Sequence, residues 1–332
     1  MARMNATVST CGSYRILLVQ SGPCGEDVAE NLERTLGFAA AALDENPADL
    51  VVFPEFGTLP YFCVVEDPDL FGWAEPLDGP TVRAFSKFAR EHRTQVVAPL
   101  FERAGVRGVF YDSAVVLDRE GNIVPGRIPG SGRSVRAYRK VHISSHFDYY
   151  PTINEKYYLR SGSGFPIFTL DRMRCGCLIC YDRSFPEAWR ILALGGAEVV
   201  VVISAPYVQR RAESFVYELQ TASIQNGLFC VASNKGGVEN FRGRRMPFIG
   251  SSCVVDPFGK VVAQGPPGEG PCVVRAEIDL SLLEASARRY HYMRDRRPDL
   301  YTYLLSEGAT DEIEGEPGTS KRQDDHPNEC AI

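Results

Sequence analysis

Residues 197–203 read Ala-Glu-Val-Val-Val-Val-Ile, a near-continuous β-branched run with no polar face. A strand of this kind has to be covered on both sides, which is the situation in the middle of a parallel sheet rather than at a wetted edge. Parallel neighbours need crossover helices. Amphipathic stretches on either side, Pro186 to Leu194 and Ala212 to Gln225, fit that requirement. Further strands follow at 228–233, 251–255, 260–264 and 272–278, with turn chemistry at Asp256-Pro-Phe-Gly259. Pro266-Pro-Gly-Glu-Gly-Pro271 reads as a hairpin loop.

The first half repeats the pattern. A strand at 14–20 is followed by a helix at 27–43 carrying Val28, Leu32, Leu36, Ala39 and Leu43 at helical spacing. Then come a strand at 50–53, a helix at 81–92, and strands at 95–100 and 109–117. The middle holds a polar, aromatic-rich segment, 144–164, before strands at 165–170 and 174–179. Two βα-rich halves predict an α/β protein of two packed β-layers flanked by helices; a plain doubly wound sheet is the alternative.

The 332 residues carry 36 Lys+Arg against 42 Asp+Glu, a formal net charge of −6. Residues 306–332 hold eight acidic and two basic residues and no aromatic one, leaving 34 of each sign in 1–305. The expectation is one domain over 1–305 and an acidic, disordered tail over 306–332. A balanced body predicts neither a nucleic-acid partner nor a membrane surface. No apolar run reaches the ~18 to 20 residues of a membrane span, and Met1 to Ser13 lacks an apolar signal core, so a cytoplasmic protein is expected.

Ten cysteines are scattered without a disulfide framework and are expected as free thiols. The cluster Cys175-Gly-Cys177-Leu-Ile-Cys180 lies in a strand, where alternation turns 175 and 177 to one face and 180 to the other. A zinc site is therefore not expected.

Three reactive side chains sit at strand ends, where a rigid scaffold can aim them into a cleft. They are Glu55 in Val51-Val-Phe-Pro-Glu55, Lys140 in Tyr138-Arg-Lys140-Val-His-Ile143, and Cys180 in Cys177-Leu-Ile-Cys180-Tyr-Asp-Arg-Ser-Phe-Pro-Glu187. A thiol with an ordinary pKa near 8.5 is mostly protonated at neutral pH and needs a base or a neighbouring cation. Glu55 is suited to accept the proton. Lys140 is suited to supply the charge and to stabilise an oxyanion, together with a backbone N–H just after the nucleophile. Singly, such residues are more often a cap, a solvated cation and a small buried hydrophobe. Their co-occurrence in three strand-end contexts favours acyl transfer.

Phe53-Pro-Glu55-Phe, Tyr138-Arg-Lys140-Val-His and Cys180-Tyr-Asp-Arg-Ser-Phe-Pro-Glu187 closely resemble the three signature segments of the carbon–nitrogen hydrolase (nitrilase) superfamily, over about 14–304. The resemblance implies a four-layer α-β-β-α sandwich paired across a two-fold axis into a homodimer or larger homo-oligomer. It also implies Glu55 as general base, Lys140 as oxyanion stabiliser, Cys180 as nucleophile, and no cofactor or metal. Asn154-Glu155-Lys-Tyr-Tyr-Leu-Arg-Ser-Gly-Ser-Gly164 resembles a further family segment, whose Glu, here Glu155, positions the lysine and the leaving group. Gln225-Asn226-Gly227 to Asn234 is similar to the family's helix-to-strand passage near the site.

Nitrilases proper place Trp-Glu after the nucleophile, whereas Tyr181-Asp182 here is similar to the amidase and carbamoylase branches. Cys180 to Arg190 is most similar to N-carbamoyl amino acid and N-carbamoyl amine amidohydrolases, which release ammonia and carbon dioxide. Enzymes for N-carbamoyl-D-amino acids carry Asp-Arg-Arg; this chain has Asp182-Arg183-Ser184, one guanidinium short of a paired carboxylate clamp. The expected partner is a small amide or ureide, bound by Tyr181, Asp182, Arg183 and Asn234. An aliphatic or ω-amidase is the alternative, and a non-catalytic binding protein on the same scaffold ranks below both. The aromatic segment 146–158 is expected near the site mouth.

Overall fold

The computed structural model describes residues 13–305. The expected tail, 306–332, lies outside the described residues. The chain divides into two compact units, Met1–His291 and Tyr292–Ile332. The described part of the second holds two short 3₁₀ turns, Pro298–Leu300 and Thr302–Leu305.

The first unit opens with strand β1 (Ser13–Gln20), helix α1 (Val28–Glu45), β2 (Leu50–Val52), α2 (Pro80–His92), β3 (Gln95–Arg103) and β4 (Phe110–Leu117). Helix boundaries follow local chemistry. The Asp27 carboxylate caps α1 by accepting from the Glu30 N–H at 3.0 Å. Pro80 opens α2 at a position where its missing N–H costs nothing.

Short strands then connect the halves: β5 (Gly126–Arg127), β6 (Ser134–Val135), β7 (Tyr138–Arg139), β8 (Ser145–His146) and β9 (Ile153–Asn154). The second half contains β10 (Ile167–Thr169), β11 (Arg174–Ile179), α3 (Pro186–Leu194), β12 (Val199–Ser204), α4 (Gln209–Asn226) and β13 (Phe229–Asn234). It ends with β14 (Gly236–Phe241), β15 (Arg244–Ile249), β16 (Cys253–Val255), β17 (Val261–Gln264), β18 (Cys272–Asp279) and α5 (Ser281–Arg289).

Two large sheets result. One has six strands in the order β18-β1-β2-β3-β4-β7, the other eight in the order β17-β16-β13-β12-β11-β10-β5-β6. Each is built on three parallel strands, β1-β2-β3 and β11-β12-β13. The β-branched run is β12, fully buried throughout and flanked by parallel neighbours on both sides. This is the covered environment its composition demands.

Alternation divides the six-stranded sheet between two cores. Ile16, Leu18, Val52, Val97 and Val116 join a cluster with Cys177, Ile179 and Val201 of the second sheet. Leu17, Val51, Val96 and Val115 pack with Leu43 of α1 and with Phe85 and Phe88 of α2. A third, aromatic cluster underlies the segment after β2. In it the Phe62 ring lies 4.8 Å from Phe101 and 4.9 Å from Tyr158.

Several expectations change. The 266–271 segment is not a hairpin loop: it carries the chain from β17, at the edge of one sheet, to β18, at the edge of the other. Its turn residues accommodate a reversal without determining which sheet the next strand joins. The β14–β15 hairpin was not expected; its alternation is masked because apolar Val238 and Pro247 share the exposed face while Glu239 is buried. Cys175 and Cys177 do share the interior, but Cys180 lies beyond the strand end in a 3₁₀ turn, so strand alternation does not reach it. All eight described cysteines are free. Among the described residues, no helix is long and apolar enough to cross a membrane.

Candidate active site

The carboxyl ends of the parallel strands converge, the usual place for chemistry in sheets of this kind. Glu55 follows β2 after Phe53-Pro54, and Cys180 directly follows β11. Backbone at both turns is left-handed, φ +47° at Phe56 and +45° at Cys180. Such conformations cost roughly 1–3 kcal/mol for a non-glycine residue and persist only where the surroundings impose them. At Cys180 the Arg183 guanidinium does so, donating from Nη1 to the Cys180 carbonyl at 2.7 Å.

Lys140, just past β7, is fully buried, as are Glu55, Glu155 and Asp112. Its ammonium donates to Glu55 Oε1 at 2.7 Å and to Glu155 Oε1 at 2.8 Å, with Asp112 Oδ2 at 3.6 Å. Glu155 is held further by the Tyr61 hydroxyl on Oε1 at 2.8 Å and the Ser144 N–H on Oε2 at 2.9 Å. The surface readings of Glu55, Lys140 and Glu155 are therefore excluded.

One ammonium facing three buried carboxyl groups cannot compensate three full charges. Burial and then the Glu55 charge push the Asp112 carboxyl well above its ordinary range. Burial also raises Glu155, against the pull of Lys140. Lys140 moves the other way: burial disfavours its charge, but Glu155, Glu55 and Asp112 together hold it protonated well past the usual lysine range. A proton retained on Asp112 also answers a hydrogen-bonding problem. Glu55 Oε2 and both Asp112 oxygens are buried with no donor from another group, and a protonated Asp112 donates to Glu55.

Cys180 lines a cavity of about 330 Å³ with Tyr61, Ser144, His146, Glu155, Tyr181 and Arg183. Burial, and next the Glu55 charge, push its thiol up to about 11, with Lys140 and Arg183 opposing. A thiol held that high stays protonated at neutral pH, so any chemistry at it calls for a base.

Of the four side chains expected to bind substrate, Tyr181 and Arg183 line the cavity and Asp182 and Asn234 do not. Asp182 is fully buried and accepts from the Tyr138 hydroxyl at 2.5 Å, the His142 N–H at 2.8 Å and the Ile179 N–H at 3.1 Å. It ties the strand carrying Lys140 to the turn carrying Cys180. Asn234 spends its amide nitrogen on the Gly250 carbonyl at 2.5 Å, beneath the site. Arg183 is not a free carboxylate clamp, since beyond Cys180 it also faces Glu218 at 3.3 Å. The aromatic segment divides: His146 and Tyr149 line the cavity, Tyr158 is core, and Phe147 and Tyr150 face solvent.

Sequence reasoning missed Asp112, Tyr61 and a second buried pair. Lys235 Nζ donates to Glu239 Oε2 at 2.6 Å and to the Leu59 carbonyl at 3.0 Å, and Glu239 Oε1 accepts the Tyr61 N–H at 2.7 Å. The two buried clusters thus share Tyr61. Only a lysine set four residues from a glutamate hinted at this one. Among the described residues, no set of three His, Cys, Asp or Glu side chains is arranged to hold a metal ion.

Parallel-strand halves meeting over a buried carboxylate–lysine cluster beside a strand-end cysteine define a mixed α/β protein of the nitrilase-superfamily class. The carbon–nitrogen hydrolase family model matches residues 15–288, and the chain belongs to that family. It is 34% identical over 290 residues to an (R)-stereoselective amidase from Pseudomonas sp, covering 85% of this chain and 91% of the relative. It is 29% identical over 316 residues to an N-carbamoylputrescine amidase from Arabidopsis thaliana, covering 90% and 98%. The crystal structure of a carbon–nitrogen hydrolase from Helicobacter pylori G27 superposes with a TM-score of 0.78 at 30% identity, covering 88% of this chain and 98% of that one.

Proposed function

We propose that the protein hydrolyses a small non-peptide C–N bond through a thioester-type intermediate on Cys180, most closely that of an N-carbamoyl (ureido) compound. The observation that carries the reading is the buried Glu55–Lys140–Glu155 cluster beside the cavity that Cys180 lines. Glu55 takes the thiol proton as sulfur bonds to the substrate carbonyl carbon, which avoids a free thiolate at neutral pH. Lys140 has three N–H groups and spends two on Glu55 and Glu155; the third, facing Asp112 only at 3.6 Å, is available to the oxyanion with the Tyr181 N–H. Collapse expels the nitrogen, which takes its proton from Glu55. Water, activated by Glu55, then hydrolyses the acylated sulfur and regenerates the thiol.

A ureide hydrolysed in this way yields an amine, ammonia and carbon dioxide. A simple amide yields ammonia and a carboxylic acid, and this is the second reading, favoured by the amidase relative. A binding protein has no use for three buried carboxyl groups around one lysine, which cost several kcal/mol in desolvation.

The test is turnover over ureides and amides by the unaltered protein, scored for ammonia and carbon dioxide, and by Cys180→Ala. We expect complete loss in the variant with an unchanged melting profile; turnover retained there overturns the mechanism, and ammonia without carbon dioxide from the unaltered protein replaces the ureide by an amide.

We further propose the four-layer order helix, sheet, sheet, helix, supported by the division of the six-stranded sheet between two cores. Pairing of two copies is supported by exposed Ile191 and Leu194 on α3 and Tyr217 on α4, and sedimentation equilibrium tests it. The free cysteines fit a reducing compartment such as the cytoplasm.

A further inference from the structure

The cavity beside Cys180 has a charged end with an uneven balance. Arg183 and Arg211 both line it, and one carboxylate, Glu218, answers both: Oε2 faces Arg183 Nε at 3.3 Å, and Arg211 Nη2 stands 3.1 Å away. One positive charge is left over.

The two guanidiniums are not equally committed. Arg183 is nearly fully buried, holds the Cys180 carbonyl and lies over the Phe215 ring at 4.9 Å. Arg211, from the first turn of α4, is 30% exposed and, among the described residues, makes its side-chain contacts through Nη2, to Ser184 Oγ at 2.6 Å and to Glu218. Its Nε and Nη1 retain three N–H donors for charge-assisted bonds to a carboxylate, made singly because both two-pronged faces of a guanidinium include Nη2. Those contacts also hold the side chain in place before a ligand arrives, which lowers the ordering cost of binding.

No acidic side chain offers the opposite service. Glu155 is the one carboxylate among the described lining residues, and its oxygens are taken by Lys140, Tyr61 and Ser144. His146 carries no negative charge in either protonation state and so does not hold a cationic tail either.

We infer that the substrate carries an anionic group, of carboxylate class, on the tail remote from the scissile C–N bond, and that Arg211 is the residue that selects it. This rests on the reading of Cys180 as the nucleophile.

The experiment compares 4-ureidobutyrate, 4-ureidobutylamine and butylurea, which share a four-carbon tail and differ in its end group, alongside the matching carboxamides glutaramate, 5-aminopentanamide and pentanamide. The carboxylate member is expected to have the highest kcat/KM of its set, the difference lying in KM. In Arg211→Gln the carboxylate-to-neutral ratio is expected to fall about 10- to 100-fold, the worth of a charge-assisted pair. Arg211→Glu shifts preference toward the ammonium tail. Calorimetric binding of the same compounds to Cys180→Ala reads the preference without turnover. Turnover of the carboxamides alone removes the ureide reading yet still reads the tail. The inference is overturned if the ammonium member is used or bound at least as well as the carboxylate, or if the ratio does not move in Arg211→Gln.

Discussion

The Tyr61 hydroxyl donates to Glu155 Oε1 at 2.8 Å, the same oxygen that receives the Lys140 ammonium. Because the backbone N–H of Tyr61 is held by Glu239, one residue couples the cluster beside Cys180 to a second ion pair that does not line the cavity. In Tyr61→Phe, Glu155 keeps Lys140 and Ser144 but loses a donor in a buried setting. A loss of about 1–3 kcal/mol is expected. Spent on the transition state, it lowers kcat about 5- to 160-fold, measured beside urea denaturation.

Asp112 gives the protein a pH dependence with a definite sign. Its folded-state pKa lies well above the unfolded value, so between the two the folded protein binds a proton that the unfolded chain has released. Stability therefore falls as pH rises from about 4 to the folded pKa, by at most about 1.4 kcal/mol per pH unit. Asp112→Asn cannot ionise and is expected to show a shallower decline in unfolding free energy between pH 5 and 8. Parallel curves for the two proteins contradict a protonated Asp112.

Gly162 accepts no side chain. A Cβ there would meet the Arg139 carbonyl oxygen at 2.1 Å, while its own N–H donates to the Lys140 carbonyl at 2.7 Å. Gly162→Ala has to displace the backbone that aims the ammonium. Overpacking of this kind costs about 1–3 kcal/mol. We expect a lowered Tm and a kcat loss larger than the change in KM, read by steady-state kinetics on the folded fraction.

With the Cys180 thiol pushed up to about 11, its thiolate fraction rises about tenfold per pH unit through the neutral and mildly alkaline range. Site-resolved mass spectrometry of iodoacetamide labelling is expected to show that slope at Cys180 from pH 7 to 9.5. A plateau near pH 7 means a thiolate stabilised at rest, and proton transfer to Glu55 is then not part of the first step.

The strands that set the frame were legible because their composition leaves no second solution: β12 has no polar face, and Pro186 marks the start of α3 to the residue. Glu55, Lys140 and Cys180 stood out because each ends or follows a strand within a distinctive segment, and Glu155 only through the resemblance of its own segment. Asp112 lies inside β4, where a single acid in a mostly apolar strand signals nothing until Lys140 is seen opposite. Asp182 misled for the complementary reason. Proximity in sequence to Cys180 does not give direction, and a 3₁₀ turn points a residue two positions on away from the cavity. The buried loop carrying Tyr61 has no periodicity, so its burial comes from tertiary packing alone.

β1 pairs along its whole length with β18, Gln20 against Cys272, so the first of the described strands waits for the last. At ribosomal speeds of roughly 5–20 residues per second, that wait is on the order of 10–50 s. Throughout it, one backbone edge of β1 has no native partner, the kind of exposed edge that recruits strands from other chains. Nascent chains stalled before residue 272 should therefore lean on chaperones and aggregate on release, whereas chains extended past 279 should resist protease. Because β1 and β2 also form the sheet that carries Glu55, catalytic competence would then emerge late in translation and in one step.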